Sequence, residues 1–357
     1  MTPTLCGPEE VDELIDFIAS TWGPSHVLAR SRPLLAWQFD GARLKGAQPS
    51  DLGVLLLRDE ARRIVAMQGL IGARVVRAEE TFDGAWLCNL MAAEGARAAG
   101  AGMTMLKAVT DLGLDVLMTA GINPALYRVY PAMGFMVRPQ MGRWVWLSRS
   151  RANSPIISAF VGEDDRARPA QSADDCENVD GPFGEPWDRL WSTRPSNYFG
   201  VDRDAGYLNW RYDNHPIFDY RALVVREGEK WRGLAIYRVE DILPDGGSVL
   251  RVVELHGDEL AMVSLLQAFA QKVENEGHLL VDFVGDRPGG EAFAKAGWRR
   301  ATSDHHPPPN LFQPLAPAYR PLNSAYKTLT PRLSRADLAN LSALRADSDQ
   351  DRPNAIG

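Results

Sequence analysis

The sequence predicts a mixed α/β (α+β) chain built from two tandem units, each a mixed sheet flanked by helices. Three observations carry that reading. Candidate strands alternate with one-sided helices through the first half of the chain. The same landmarks return roughly 160–175 residues later, a period too long for a solenoid and suited to a duplicated domain. The composition is that of an ordinary globular protein: of 357 residues, 45% are hydrophobic and 24% charged.

Pro8 to Trp22 opens with acidic residues and carries apolar positions at Val11, Leu14, Ile15 and Ile18, the pattern of a one-sided helix. Leu34 to Phe39 is an aromatic patch around Trp37. Leu52 to Leu57 and Ile64 to Val76 read as strands, the second interrupted by Gly69, which suggests a bulge or a close backbone approach. Trp86 to Ala92 is a third strand, and Met103 to Leu112 a helix. Between them lies Arg97-Ala98-Ala99-Gly100-Ala101-Gly102, crowded with small residues. Such a turn lets backbone amides approach a ligand. The helix behind it adds unpaired donors and a partial positive charge, so the junction reads as a pyrophosphate cradle. It lacks the Gly-Lys-Ser/Thr of a nucleoside-triphosphate loop and the spacing of a dinucleotide fold. Leu114 to Thr119 is the next strand, and Trp144 to Leu147 is expected to close the unit.

The cradle resembles the Arg/Gln-x-x-Gly-x-Gly/Ala signature of the GNAT acyltransferases. Downstream, Asn123, Tyr127, Tyr130 and Gly134-Phe135 match the spacing of that family's element after the fifth strand. The resemblance implies a splayed sheet and coenzyme A, or an acyl-CoA, as co-substrate. It implies cofactor contacts from Leu90, Ala92, Arg97, Ala98, Gly100, Ala101, Gly102, Met103 and Asn123. Tyr130 is the expected acid for the departing thiolate, since a phenol near pKa 10 can donate a proton to it; Tyr127 lies one turn earlier. The family's usual glutamate falls on Trp86, so the base stays open among Asp83, a water held by Asn89, Glu254 and His256. Asn89 is carried with Tyr130 as a catalytic candidate. Glu94 is expected to face solvent.

Residues 1–147 form the first expected unit and 148–182, rich in Ser, Arg, Asp, Ala and Pro, a linker with acids at Asp174, Asp175 and Glu177. Residues 183–329 form the second unit. Tyr207 to Tyr212 parallels the Trp37 patch, Gly233 matches Gly69, and Phe293 to Trp298 parallels Tyr130 to Phe135. Where a second cradle would stand, the chain reads His256-Gly257-Asp258-Glu259, whose carboxylates oppose a pyrophosphate. The second unit is therefore expected to help hold the acceptor, through Trp210, Arg211, Tyr212, His215 and Glu254. Residues 330–357 are expected as a tail with a short helix at 334–347 and disorder in the last ten residues.

The tandem arrangement is similar to N-acyltransferases that modify a nucleotide-linked deoxyamino sugar, with an acetyl or 3-hydroxybutanoyl group, in surface polysaccharide (O-antigen) biosynthesis. A mycothiol-synthase-like enzyme and a non-catalytic coenzyme A binding module are the alternatives. The net charge of -7 argues against a nucleic-acid partner. Three scattered cysteines suggest neither disulfides nor a metal site. No membrane-spanning run or secretory signal is visible, so a cytoplasmic protein is expected.

Overall fold

The computed structural model describes residues 2–123, 126–162, 165, 176–243, 246–286, 290–302, 307–316 and 319–354. The amphipathic stretch after Pro8 forms α1 (Val11–Trp22), which buries Val11, Leu14, Phe17 and Ile18 and ends at Gly23, where φ is 106°. The aromatic patch is helical: α2 (Val27–Arg30) and α3 (Arg32–Gln38) are capped by the side chains of His26 and Ser31.

The strands of the first unit are β1 (Thr4–Cys6), β2 (Leu52–Arg58), β3 (Ile64–Arg77), β4 (Glu80–Ala92), β5 (Val116–Ala120) and β6 (Met136–Arg138). Then come β7 (Arg143–Leu147), β8 (Cys176–Val179), β9 (Phe199–Val201), β10 (Arg221–Glu227), β11 (Lys230–Asp241), β12 (Ser248–Gly257), β13 (Leu280–Asp286) and β14 (Arg299–Arg300). A small hairpin, β15 (Leu311–Phe312) and β16 (Leu315–Ala316), precedes β17 (Ser324–Thr328) and β18 (Ala343–Leu344). Two eight-stranded mixed sheets result. The first runs β1-β2-β3-β4-β5-β17-β6 with β9 paired on β3, and the second, read from its matching edge, β8-β10-β11-β12-β13-β7-β14 with β18 paired on β13. Position by position the two orders correspond, including the parallel pairs β4/β5 and β12/β13.

The correspondence exposes a reciprocal exchange that corrects the sequence-based unit boundaries. β7 does not close the first sheet; it pairs with β13 and β14 in the second. Its place between β5 and β6 is taken by β17, from the far end of the chain. Within the expected linker, Glu177 lies in edge strand β8, while Asp174 and Asp175 fall outside the described residues.

One face of the first sheet packs Leu55, Leu70, Leu87 and Leu117 against Met105 and Val109 of the cradle helix. The second sheet packs Tyr237, Val252 and Phe283 against Leu265, Phe269 and Val273 of the helix Glu259–Glu276. A third core fills the junction between the sheets, with Trp37, Trp86, Trp187, Trp191, Tyr212 and Tyr326. The two landmark tryptophans meet there: Trp37 and Trp210 stack at 5.5 Å, and each indole N–H donates to the other's backbone carbonyl, at 2.7 and 3.2 Å.

The C-terminal segment also lies in the junction. Residues 348–354 are ordered among the described residues, against the expectation for the last ten. Asp347, with Asp351 four positions on, anchors them. The Asp347 carboxylate accepts from Arg203 (2.6 Å) and Tyr207 (2.9 Å). Asp351 accepts from Arg238 (2.8 Å) and Tyr220 (2.7 Å). Buried charges of this kind are tolerated because each is paired and hydrogen-bonded.

Candidate functional site

The site begins where β4 and β5 part. Their parallel pairing runs from Gly84/Val116 to Leu87/Thr119 and then stops, although β4 continues to Ala92. Just beyond, β4 carries a bulge: Met67 faces Met91 and Gly69 faces Cys88, so Asn89 and Leu90 together oppose Gln68. Asn89 takes up the strain with φ of 53°. A bulge leaves one residue's polar backbone outside the ladder and re-aims its neighbours. Gln68, which the sequence reading did not single out, braces this bend by donating to the carbonyls of Gly69 (3.0 Å) and Cys88 (2.7 Å). Gly69 also permits a close approach, since a Cβ there would lie 2.4 Å from the Phe39 ring.

The Asn89 side chain is buried and accepts from Gln38 at 3.2 Å. Asp83 stands at the other end of the β4/β5 pairing, in an ion pair with Lys45. Leu90 and Met103 expose their apolar side chains, and Leu126 and Val129 do so on the segment after β5.

The cradle is more helical than expected. A short helix α4 (Glu94–Ala98) precedes α5 (Ala101–Thr110), and Gly100 joins them in the left-handed region, at φ 82° and ψ 19°. No side chain caps α5. The amides of Ala99, Gly100 and Met103 are spent on Gly95, Arg97 and Gly100 carbonyls. Ala101 and Gly102 are the first two residues of α5, positions whose amides find no acceptor within a helix. A Cβ on Gly95 or Gly100 would meet nothing within 4 Å, so the space above the turn is open. Open space, an uncapped helix start and the adjoining splay fit a pyrophosphate and its pantetheine arm. Arg97 is exposed and donates to the Ala92 carbonyl at 3.1 Å, bracing the end of β4.

The matching point of the second unit is built differently. Asp258 caps the helix Glu259–Glu276 by accepting from the Ala261 amide and also pairs with Arg232 at 2.7 Å. That helix start is already occupied by the protein's own carboxylate.

Asn123 is exposed at the end of the segment after β5, and its carbonyl accepts from Leu126. Tyr130 sits on α6 (Val129–Ala132), half-buried and edge-on to Phe135 at 5.1 Å. Burial raises its phenol above the ordinary value, against a lowering contact with the Thr119 side chain. The group therefore stays protonated through neutral pH.

The five expected acceptor residues lie in the packed junction. Arg211, Tyr212, His215 and Glu254 are buried, and Trp210 is half-buried against Trp37. Glu254 accepts from Arg203 through both oxygens at 3.0 Å, from Tyr212 at 2.7 Å, and pairs with His256 at 2.6 Å. Burial alone would raise its carboxyl, but Arg203 and then His256 outweigh that and hold it below the usual range. Glu254 and His256 are thus locked partners of a buried network, which removes them as candidate bases. The Arg211 guanidinium donates to the Ser348 carbonyl, and His215 accepts two backbone amides.

A cavity of about 770 Å³ opens instead beside the end of β5. Gly121, Asn123 and Tyr127 line it from the first unit, and Arg238, Glu240 and Arg251 from the second. The C-terminal segment adds Arg345, Asp349 and Arg352. Gln350 packs directly on Gly121, where a Cβ would lie 2.5 Å from its amide nitrogen. Asp349 is buried and paired with Arg352. After burial itself, the Asp349 charge contributes most to raising the Cys88 thiol of β4. None of these C-terminal residues carried a motif by which the sequence would mark them.

No family model and no curated protein matches the chain by sequence. Solved structures match by fold. A probable N-acyltransferase from Enterococcus faecalis superposes with a TM-score of 0.59 at 12% identity, covering 90% of this chain and 71% of that one. A GCN5-related N-acetyltransferase from Anabaena variabilis gives 0.57 at 12% identity, covering 92% and 73%. The Saccharomyces cerevisiae N-myristoyltransferase, solved with bound myristoyl-CoA, gives 0.54 at 9% identity, covering 91% and 78%. With the paired sheet orders, these likenesses show a mixed α/β fold of two corresponding sheets, like that of those N-acyltransferase structures.

Proposed function

We propose that the protein transfers an acyl group from an acyl-CoA to the amino group of a nucleotide-linked deoxyamino sugar, by direct attack of the amine on the thioester. One observation carries the acyl-transfer reading: an uncapped, glycine-hinged helix start stands beside a bulged strand at the point where two parallel strands part. The acyl-CoA supplies an activated acyl group. Ala101 and Gly102 are assigned the pyrophosphate, with Gly100 giving the turn and Ala98, Arg97 and Met103 flanking it. Leu90 and Ala92 offer backbone along the pantetheine arm, and Asn123 offers a polar partner beyond it. Asn89 acts through its backbone, as the hinge of the bulge.

Tyr130 holds a proton at its phenolic oxygen and delivers it to the departing sulfur, for which its raised pKa is suited. Asp349 is assigned the proton of the attacking amine. It is the one carboxylate of the Asp347–Asp351 run not spent on a deep arginine. The second unit supplies the far wall of the acceptor cavity, and Trp210, Arg211, Tyr212, His215 and Glu254 hold that wall from behind. Ligand sites favour such domain junctions.

The test is mass spectrometry of the purified protein with a panel of acyl-CoAs and nucleotide-linked amino sugars. An acylated sugar nucleotide is the expected product. Turnover confined to another small amine would replace the acceptor class. Binding of coenzyme A without turnover of any amine would leave a binding module.

A further inference from the structure

A row of charges runs beside the cavity between the units, and Arg238, Glu240, Arg251 and Arg345 of that row line it. Arg143 pairs with Asp282 at 2.8 Å, and Asp282 with Arg251 at 2.6 Å. Arg251 pairs with Glu240 at 2.8 Å, and Glu240 with Arg238 at 3.1 Å. Arg238 pairs with Asp351 at 2.8 Å, and Asp351 with Arg345 at 3.2 Å. The row alternates, but it begins and ends on a cation: four arginines share three carboxylates. At the inner end Arg143 is completed by the Pro308 and Pro309 carbonyls. At the other end Arg345 has only Asp351 among the described residues, an acid already bonded to Arg238 and Tyr220. Burial, and then the neighbouring charge of Arg251, push the Arg345 guanidinium below its ordinary pKa. At the cavity mouth Arg320 adds another cation, whereas Arg352 is neutralised by Asp349.

A buried cation without its own counter-ion is costly unless something pairs with it. Guanidinium groups suit oxyanions because their N–H donors match two oxygens at once. We propose that the cavity contains a diphosphate-binding subsite with Arg345 as its main donor, supported by Arg251, Arg238 and Arg320. The subsite takes the diphosphate of the acceptor, and so rests on the acceptor reading above. The row of paired arginines presents the end charge in a fixed place, and the 770 Å³ volume has room for more than the anion. The amino sugar then extends from this anchor toward Gly121 and Asn123, where β5 ends.

Calorimetry and thermal shift in saturating coenzyme A test the subsite, because the cradle is then already filled. UDP and inorganic pyrophosphate are expected to bind and raise the midpoint beyond coenzyme A alone, and uridine is not. Arg345→Gln should weaken UDP at least 10-fold while the coenzyme A shift stays, and Arg345→Lys should recover part of the loss. If Arg345→Gln does not fold, Arg320→Ala at the exposed mouth gives a smaller loss of UDP binding with the same sign. UDP tighter than pyrophosphate identifies a nucleotide-linked diphosphate; pyrophosphate tighter identifies a free inorganic anion, and either supports the subsite. Equal binding of UDP and uridine, or no binding of UDP and pyrophosphate while coenzyme A still binds, overturns the subsite and leaves acyl transfer standing. Failure of coenzyme A itself to bind would overturn the acyl-transfer reading instead.

Discussion

Gly100→Asp separates the cradle's role as a ligand site from its role in folding. Gly100 sits at φ 82° and ψ 19°, a conformation that costs an ordinary L-residue about 1–2 kcal/mol and an aspartate less. A Cβ there meets nothing within 4 Å, so the free protein gains no clash. A destabilisation of about 1 kcal/mol translates to about 1.3 °C in a chain of this size. The ligand effect is larger. Coenzyme A at a hundred times its Kd should stabilise the wild type by about 2.7 kcal/mol, or about 3.6 °C. In the variant a carboxylate occupies the open space beside the Ala101 and Gly102 amides. Two like unit charges about 4 Å apart repel by about 4 kcal/mol at an effective dielectric of 20, roughly a thousandfold in affinity. That ligand-induced shift should therefore vanish while the unliganded midpoint moves little. Gly100→Ala, with strain but no charge, should keep part of the shift. Differential scanning fluorimetry with coenzyme A reads both. An undiminished shift in Gly100→Asp would refute the cradle, as would larger wild-type shifts with ATP or NAD.

Tyr130→Phe should lower kcat on the order of 10²–10⁴-fold with coenzyme A affinity unchanged, because a proton donor acts in the transition state. With the phenol raised above 10, wild-type kcat should fall only at strongly alkaline pH, and the variant should lose that limb; a wild-type profile without it would count against Tyr130. His215 makes stability pH-dependent. Burial lowers its folded pKa to about 3 from 6.5, so between these values the unfolded chain binds the extra proton. Its contribution is complete above pH 6.5 and declines as the pH falls toward 3, by at most about 1.4 kcal/mol per unit. Urea midpoints of the wild type and His215→Gln should converge across that window; parallel curves would dismiss the residue as a source. An isolated 1–147 fragment should not fold, since its sheet lacks β17 and its own β7 has lost its partner. A cooperative thermal transition in that fragment would contradict the exchange.

Local patterns determined most of the elements. The spacing of Val11, Leu14 and Ile18 made α1 legible, and apolar runs marked β2 through β5. The small residues around Gly100 and the Asn123-to-Phe135 spacing marked the cradle and the Tyr130 helix, because turn geometry and helix starts are specified by neighbours in sequence. Which sheet receives a closing strand was not readable. β7 and β17 are five residues each, too short for their side-chain patterns to specify a slot. Only the approach of the two units decides between them. The same holds for the charged residues: Glu254 looks like a free carboxylate until Arg203, 51 residues away, closes on it, and Arg203 in turn meets Asp347 across 144 residues. The cavity is assembled from the segment after β5, from β11, β12 and the C-terminal segment, so no window of sequence contains it. Long-range pairing of buried charge depends on a desolvated junction that exists only once both sheets have folded, and its choice of partners lies in the tertiary structure alone.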